Sequence, residues 1–339
     1  MKKEKISNKV KNRNSGRSNI HTQQCYDFIN SNIFQPSVII LAFLLTAGFW
    51  LSTDLNAQAI TLTDDLGYRL ELSHCPQRII SLAPNLTEIL FALGLNQEII
   101  GVTRFCDYPE EARRKEVIGG LVDPNLEKIQ ALHPDLVLGF RGNPRRVLEK
   151  FYDHRLPIFV FETGKTFEDL FLLINRIGQL TCRQAQAGKL ISGMKKSLEA
   201  IDRQLAPVKP EKKVFLTLYG QGAGLWTCGR DSYLSYLLLR AKVKNIASSV
   251  RGNWLVYNRE KLVEDNPEMI LILCQNQESF QRARNWFLSQ PALQKVRAIR
   301  TQNFVFLDEN LFSRFGPRLI AAYEQLIRAI HPELFLEAR

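Results

Sequence analysis

Motifs that carry catalysis are missing from this sequence. It contains no G-x-S-x-G nucleophile elbow, no G-x-x-x-x-G-K-[ST] phosphate loop and no H-E-x-x-H zinc motif. A glycine-rich turn at Gly220–Gly224 follows an apolar segment, but it lacks the spacing and the helix of a dinucleotide-binding fingerprint. These absences argue against an enzyme.

Cysteine and histidine are too few and too widely spaced to predict a metal site. Of the six cysteines, the five that follow Cys25 are odd in number and include no C-x-x-C pair; they are Cys75, Cys106, Cys182, Cys228 and Cys274. No ligand-like spacing relates His74, His133, His154 and His331. We expect at most two disulfide bonds, at least one free thiol, no bound metal ion and no resident cofactor.

The chain also lacks a block of lysine and arginine. Its formal net charge is +11, of which residues 1–59 contribute +4, and the rest is spread over predicted helix faces. This distribution argues against a nucleic-acid partner, whereas a mildly basic body suits an anionic ligand or a site near a membrane. With 339 residues, 45% hydrophobic and 10% aromatic, the chain is long enough for two globular domains.

No apolar run reaches the length of a membrane-spanning helix. The run from Val38 to Leu51 has 14 residues, whereas a transmembrane helix needs about 20. A lysine-rich segment precedes it and Ala57-Gln58-Ala59, an A-x-A cleavage pattern, follows it. We predict that residues 1–59 are an export signal cleaved after Ala59; an uncleaved membrane anchor is the alternative.

What the sequence does contain is an internal repeat. Residues 125–138 and 258–271 share the pattern N-x-E-K-[IL]-x4-P-[DE]-[LM]-[VI]-L at an offset of 133. In each copy the asparagine is suited to cap a helix, with an acid near the positive end of that helix. A proline then precedes an apolar strand. The repeat predicts two related lobes.

Strands and helices alternate in both halves, which indicates an α/β fold with mostly parallel sheets. A helix is predicted from Asn85, with Asn85 as N-cap and Glu88 three residues later. Further predicted helices lie at 232–239 and 317–330. Predicted strands lie at 78–82, 99–102, 136–140 and 158–161 in the first half, and at 213–218, 269–273 and 304–307 in the second.

Two helices without an intervening strand separate the halves. The amphipathic segments Phe167–Leu180 and Gln184–Leu205 have helical spacing, and the second would be about 33 Å long. We interpret the second helix as a spacer between the lobes, with a core helix inside one domain as the alternative. The predicted division is 1–59 leader, 60–165 N-terminal lobe, 166–208 helical connector and 209–339 C-terminal lobe.

From about Leu62 to Leu336 the chain resembles the substrate-binding proteins of ABC importers for iron complexes and cobalamin. The segments that carry the resemblance are 78–88, 106–109, 119–127, 134–137, 253–260 and 312–318. The resemblance implies a class III periplasmic binding protein with two α/β lobes joined by one long helix. It also implies a periplasmic location, a monomer, and a membrane permease dimer as partner.

Within that family the chain is most similar to the cobalamin binders. By resemblance, the residues lining the ligand cleft are Tyr108, Phe140, Arg141, Trp226, Trp254, Asn310, Phe312 and Arg314. Core packing is the alternative role for each aromatic residue, and solvent exposure for each arginine. The sequence departs from those binders at Asn310, where they have an acid, and near Leu121, where they commonly have a tryptophan.

The resemblance assigns a second function to the two repeat glutamates. In this family one acid on each lobe docks onto arginines of the permease, and the matching residues are Glu127 and Glu260. A dipole interaction at a helix N-terminus is the alternative.

Aromatic faces suit a flat macrocycle, so the expected transported ligand is cobalamin or another corrinoid. Haem, with Tyr108 as axial ligand, or a ferric siderophore bound by the arginines, are the alternatives.

Overall fold

The computed structural model describes residues 59–209, 212–218 and 224–335. The predicted leader therefore lies outside the described residues. The described chain opens with an antiparallel hairpin of strands β1 (Ile60–Thr63) and β2 (Arg69–Leu72). Asp64 begins its turn, and its carboxylate accepts hydrogen bonds from the backbone of Leu66, Tyr68 and Val160.

The first sheet has five parallel strands in the order β5-β4-β3-β6-β7. They are β3 (Ile79–Ser81), β4 (Ile99–Val102), β5 (Glu116–Val117), β6 (Leu136–Phe140) and β7 (Ile158–Phe161). Helices α1 (Pro84–Ala92), α2 (Leu126–Ala131) and α3 (Arg145–Asp153) connect them. Every side chain of β7 is buried, as expected for a strand covered on both faces. We call this sheet and its helices the N-lobe.

The predicted cap of the first helix is wrong. Helix α1 begins at Pro84 after Ala83, and no side chain caps it. Asn85 lies inside the helix instead, and its side-chain amide donates to the backbone oxygen of Phe315, 3.4 Å away. Proline at the first helical position already suits the start of α1, so a side-chain cap is not required. Glu88 is buried and binds arginines from the far end of the chain.

The connector consists of two helices with the predicted bounds, α4 (Phe167–Leu180) and α5 (Gln184–Leu205). Thr166 and Asp169 form a capping box at the start of α4. Helix α5 packs against α4 and against the last helix of the chain, and buries Ala187, Met194 and Leu198.

The second sheet has six strands, with the order β11-β9-β8-β12-β13 and with β10 beside β8. They are β8 (Lys213–Leu218), β9 (Leu225–Cys228), β10 (Lys244–Asn245), β11 (Trp254–Tyr257), β12 (Met269–Cys274) and β13 (Phe304–Asp308). Only β9 runs against its neighbours β8 and β11. The helices are α6 (Tyr233–Arg240), α7 (Arg259–Asp265), α8 (Gln277–Ser289), α9 (Arg297–Arg300), α10 (Glu309–Phe312) and α11 (Leu319–Ile330). We call this part the C-lobe.

The two repeat copies fold alike. Asn125 caps α2 and Asn258 caps α7, and the following strands, β6 and β12, each pair with the first strand of their own sheet. The predicted α/β fold with two lobes and one long connecting helix is therefore confirmed.

One apolar core crosses both lobes of the described chain. It runs from Leu86 of α1 through Phe167 of α4 and Leu198 of α5 to Leu271 of β12 and Tyr323 of α11. Smaller cores fill the outer face of each sheet. Because the lobes share buried side chains, separating them would expose apolar surface to water.

Cys75 and Cys182 form a disulfide bond with a Cα–Cα distance of 5.7 Å. It ties the loop before β3 to the turn between α4 and α5. Cys106, Cys228 and Cys274 are free and buried, as small hydrophobic side chains would be.

Within the described ranges, no helix is both long and apolar enough to span a bilayer. The same ranges contain no cluster of three or more histidine, cysteine or acidic side chains suited to a metal.

Candidate inter-lobe ligand site

The carboxyl edges of the two sheets meet at an ion pair. Asp107 follows β4 in the N-lobe, and Arg314 follows β13 and α10 in the C-lobe. Arg314 Nη1 lies 2.5 Å from Asp107 Oδ1. Burial raises the pKa of the Asp107 carboxyl, but the hydrogen bond and charge of Arg314 lower it more, so the net pKa is below its ordinary value. In α/β folds, ligands bind at the carboxyl ends of strands, which makes this junction the candidate site.

A buried carboxylate holds the junction together. Glu88 of α1 is 3% exposed, and its oxygens accept from Arg314 Nη1 at 3.0 Å and from Arg318 Nε and Nη2 at 3.0 and 2.6 Å. A charge this deeply buried is tolerated only when it is paired and hydrogen-bonded. We call Glu88, Asp107, Arg314 and Arg318 the inter-lobe network.

Arg314 was predicted to contact ligand, but its polar atoms are engaged within the protein. It is 8% exposed, and its Nη2 donates to the backbone oxygen of Phe105 at 3.3 Å and to Asn310 Oδ1 at 3.5 Å. Asn310 itself is exposed at the start of α10, where Asp308 caps the helix. Arg314 thus supports the junction in this structure.

Tyr108 is exposed beside the inter-lobe network. Its side chain is 47% exposed, and the neighbouring Phe105 is 48% exposed. The guanidinium carbon of Arg318 lies 4.0 Å from the centroid of the Tyr108 ring. The Tyr108 hydroxyl forms no hydrogen bond with any described residue. An exposed aromatic ring at the meeting point of two lobes is suited to contact a ligand.

The structure brings the two predicted tryptophans together on one face of the second sheet. Trp226 lies opposite Leu218 and Val256 in the ladder, and Trp254 lies opposite Cys228. Residues directly opposite one another share a face, so the two tryptophans are diagonal neighbours. Trp254 is 37% exposed and Val256 is 57% exposed, which gives this sheet edge an open apolar surface.

The remaining predicted residues are placed differently. Phe140 ends β6, and its ring folds over Gly142, where an added Cβ would lie 2.0 Å from the ring. Arg141 and Glu162 follow the carboxyl ends of β6 and β7, and Arg141 lines a depression of about 400 Å³ with Tyr68 and Tyr152. Phe312 is fully buried, so core packing, the alternative to ligand contact, is its role in this structure.

Most basic side chains around the junction face an acid; Arg113 instead donates to the backbone oxygen of Asp107 at 3.4 Å. Besides the two arginines of the network, Arg104 pairs with Asp123 at 2.9 Å, Arg141 with Glu162 at 2.8 Å, and Lys165 with Asp231 of the C-lobe at 3.0 Å. The site therefore carries little net charge. Such a surface suits a ligand that is mostly neutral and rich in amides better than a polyanion.

Two larger depressions, each of about 450 Å³, have mostly charged and polar linings. Asp65, Glu162, Lys165 and Arg176 contribute to one, and Lys212, Glu268 and Arg297 to the other. Neither lining includes a predicted ligand residue. Neither offers the flat aromatic surface expected for a macrocycle.

Glu127 and Glu260 occupy the same position, the second residue, of α2 and α7. Both side chains are exposed, and neither carboxylate forms an ion pair in the part of the chain that the structure describes. The two acids are thus free to bind a partner with matching positive charges.

Sequence reasoning missed Glu88 and Arg318 as site residues. A signal was present for Glu88, because a charged residue within the apolar run 86–90 must find a partner if that run is buried. For Arg318 we find no comparable signal, since it follows a proline in an ordinary helix start.

The comparison with known families decides the classification. The family described as periplasmic binding protein matches residues 79–311, well over half of the chain. The chain belongs to the periplasmic binding protein family. This confirms the resemblance drawn from the sequence.

Two curated relatives cover most of the chain. An uncharacterized ABC transporter substrate-binding lipoprotein of Bacillus subtilis is 27% identical over 82% of this chain and 87% of its own length. A vitamin B12-binding protein of Pectobacterium atrosepticum is 30% identical over 74% of this chain and 87% of its own. Both are named for binding and not for catalysis.

Two solved structures share the fold. The periplasmic haem-binding protein and the periplasmic vitamin B12-binding protein of Vibrio cholerae each have a TM-score of 0.66 and 22% identity. The first covers 76% of this chain and the second 77%, and the alignments include 99% of both structures. Equal likeness to both shows the architecture alone.

Proposed function

We propose that this protein is the solute-binding component of an ABC importer and that it captures a corrinoid, cobalamin being the specific candidate. The observation that carries the proposal is the exposed ring of Tyr108 at the junction of the two carboxyl edges. Trp226 and Trp254 supply a second aromatic surface, on the C-lobe. Large flat side chains bury much ligand area at small entropic cost.

Charge compensation at the site supports this ligand class. A corrinoid has a periphery of amides, which the exposed side chains of Asn310 and Arg141 would bind. The 30% identical relative is named a vitamin B12-binding protein, which agrees with this ligand. We propose Tyr108, Phe140, Trp226 and Trp254 as the aromatic contacts, with Phe312 and Arg314 supporting them from within.

Haem is the second candidate, and one observation favours it. The Tyr108 hydroxyl is exposed and has no hydrogen-bond partner among the described residues, so it is free to serve as an axial ligand to iron. The experiment below therefore compares both ligands.

The full chain, purified after export, is titrated with cyanocobalamin, hemin and ferrioxamine B by absorbance and calorimetry. Saturable binding of one cyanocobalamin per chain supports the proposal, and Tyr108→Ala should then weaken it about tenfold or more, as for other aromatic anchors. Phe335→Ala is the matched control, because an arginine also lies over its ring, with 4.1 Å between the Arg328 guanidinium carbon and the ring centroid, but beyond the far end of α11. Binding of hemin or ferrioxamine B without binding of cyanocobalamin would change the proposed ligand to haem or to a ferric siderophore.

We further propose that Glu127 and Glu260 dock onto arginines of a permease dimer, one from each lobe. Related positions on two related lobes suit a receptor with two similar halves. Charge pairs of this kind mainly set orientation and association rate.

The proposed boundaries of the lobes and connector remain 60–165, 166–208 and 209–339, and the protein would act as a monomer.

Replacement of both acids in Glu127→Lys/Glu260→Lys should slow association with the cognate importer in proteoliposomes and leave cyanocobalamin affinity unchanged. The control is Glu149→Lys/Glu278→Lys, which reverses two exposed acids in other helices. Equal docking by both double variants would remove this assignment.

The proposed location is the periplasm, reached through the leader. The disulfide between Cys75 and Cys182 supports export, because such bonds form and persist in oxidising compartments.

A further inference from the structure

The exposed ring of Tyr108 is held by the opposite lobe. Tyr108 belongs to the N-lobe, whereas Arg318, whose guanidinium carbon lies 4.0 Å from the ring centroid, precedes α11 in the C-lobe. Since Tyr108 remains 47% exposed, the guanidinium covers part of the ring and leaves the rest open. A cation over an aromatic face favours one orientation of that ring.

Arg318 is itself fixed by Glu88. Two of its nitrogens, Nε and Nη2, donate to separate oxygens of the Glu88 carboxylate at 3.0 and 2.6 Å. A fork of this kind sets the plane of the guanidinium as well as its position. Glu88 is 3% exposed on α1, so the whole assembly is anchored in the N-lobe core.

The residue before Tyr108 is held in the same way. Asp107 binds Arg314, and Arg314 shares the Glu88 carboxylate with Arg318. Two neighbouring residues of one loop are therefore fastened by two arginines that meet on one buried acid.

We propose that Arg318 is a positioning residue that fixes the Tyr108 ring so that its open face is presented to a flat ligand. This inference rests on the proposed function, because it assigns a binding role to Tyr108. Arg318 acts through Tyr108 and not by touching the ligand. Orienting the ring before binding reduces the entropy lost on binding.

Helix α11, which follows Arg318, contains a second arginine with similar contacts. Arg328 of α11 donates through Nε and Nη2 to Glu324, and its guanidinium carbon lies 4.1 Å from the Phe335 ring. Arg328→Met removes an aromatic contact of nearly the same length together with an ion pair that is exposed, whereas the Arg318–Glu88 pair is largely buried. Arg318→Met therefore costs more stability than Arg328→Met, and Arg318→Lys, which keeps a positive charge beside Glu88, separates that cost from the loss of the ring contact.

The first readout needs no ligand. The full chain is labelled with 3-fluorotyrosine, and Tyr108→Phe identifies the Tyr108 resonance in the fluorine spectrum. Arg318→Met should move that resonance, Arg318→Lys should move it less, and Arg328→Met should leave it in place. An unmoved Tyr108 resonance in a folded Arg318→Met protein would overturn the proposal.

The second readout is a double-mutant cycle on cyanocobalamin affinity. Arg318→Met should weaken binding about three- to tenfold in the wild-type background and have no further effect in Tyr108→Ala. An equal loss in both backgrounds would mean that Arg318 contacts the ligand or acts on the fold, and would overturn the proposal. If wild type does not bind cyanocobalamin, the proposed ligand fails, and the same cycle is run with whichever of hemin and ferrioxamine B the protein binds.

Discussion

Asp107 is the acid of the inter-lobe network that solvent reaches. Its side chain is 36% exposed, compared with 2% for Glu88, so it can exchange protons without unfolding of the protein. Its pKa in the folded chain lies below the ordinary 3.8, because the bond and charge of Arg314 outweigh the opposing effect of burial. A carboxyl of this kind stabilises the fold above its unfolded pKa and loses that effect as the pH falls through the folded pKa.

We therefore expect Asp107→Asn to lower the free energy of unfolding at pH 7, and we expect this difference to shrink below about pH 4. Urea unfolding of both proteins between pH 7 and pH 3 measures it. Asp153→Asn, an exposed aspartate outside the network, is the control. A difference that stays constant over the whole range would contradict the assignment of Arg314 as the partner of Asp107.

Residues of the network also show where prediction from sequence stops. The partners of Glu88 lie 226 and 230 positions away along the chain. The local pattern assigned Glu88 to the cap of a helix, because the partners in a capping box lie only three residues apart. Only the folded chain shows that it pairs across the lobes.

At the scale of elements, much more was predictable. The bounds predicted for β6, β7, α4 and α5 agree with the structure, because each has a strong local period and clear ends. The hairpin of β1 and β2 was missed, since its strands are short and half exposed. The predicted tryptophans proved to be neighbours only once the register of β9 and β11 was known.

The element contact most open to test is the disulfide at the base of the connector. Cys75 and Cys182 are separated by 107 positions, so the bond closes a long loop and limits the unfolded chain. Cys75→Ser/Cys182→Ser should lower the free energy of unfolding by about 2–5 kcal/mol and leave cyanocobalamin affinity nearly unchanged. Urea unfolding measures the change, with reduced wild type as the comparison. Equal unfolding midpoints would show that the connector holds without the bond.

For the whole molecule, the shared core predicts little movement between lobes. Helix α5 was predicted from the sequence to be a spacer between the lobes, and the structure adds a continuous apolar core and the inter-lobe network. Small-angle scattering should therefore give radii of gyration that differ by less than about 1 Å between free and cyanocobalamin-loaded protein. A large contraction on loading would show that the core between the lobes opens.

The fold class was predicted from the alternation of strands and helices, and the number of lobes from the internal repeat. Both signals are properties of short segments of sequence. The candidate site was predicted from the sequence only in part, because its contacts between lobes join residues that lie far apart in the sequence and share no local pattern. Tyr108 was predicted as a ligand contact from the resemblance of segment 106–109, whereas the burial of Phe312 and the contacts of Arg314 required the packed structure.

The continuous core has a mechanical consequence. A body without a soft joint transmits force instead of absorbing it, so a pull on one lobe at Glu127 would strain the packing around Glu88 rather than swing a hinge. The energy needed to part the lobes must then come from outside the protein, and an importer driven by ATP hydrolysis is able to supply it. In the proposed pair the binding protein would be the stiff member, and the membrane protein would perform the work of release.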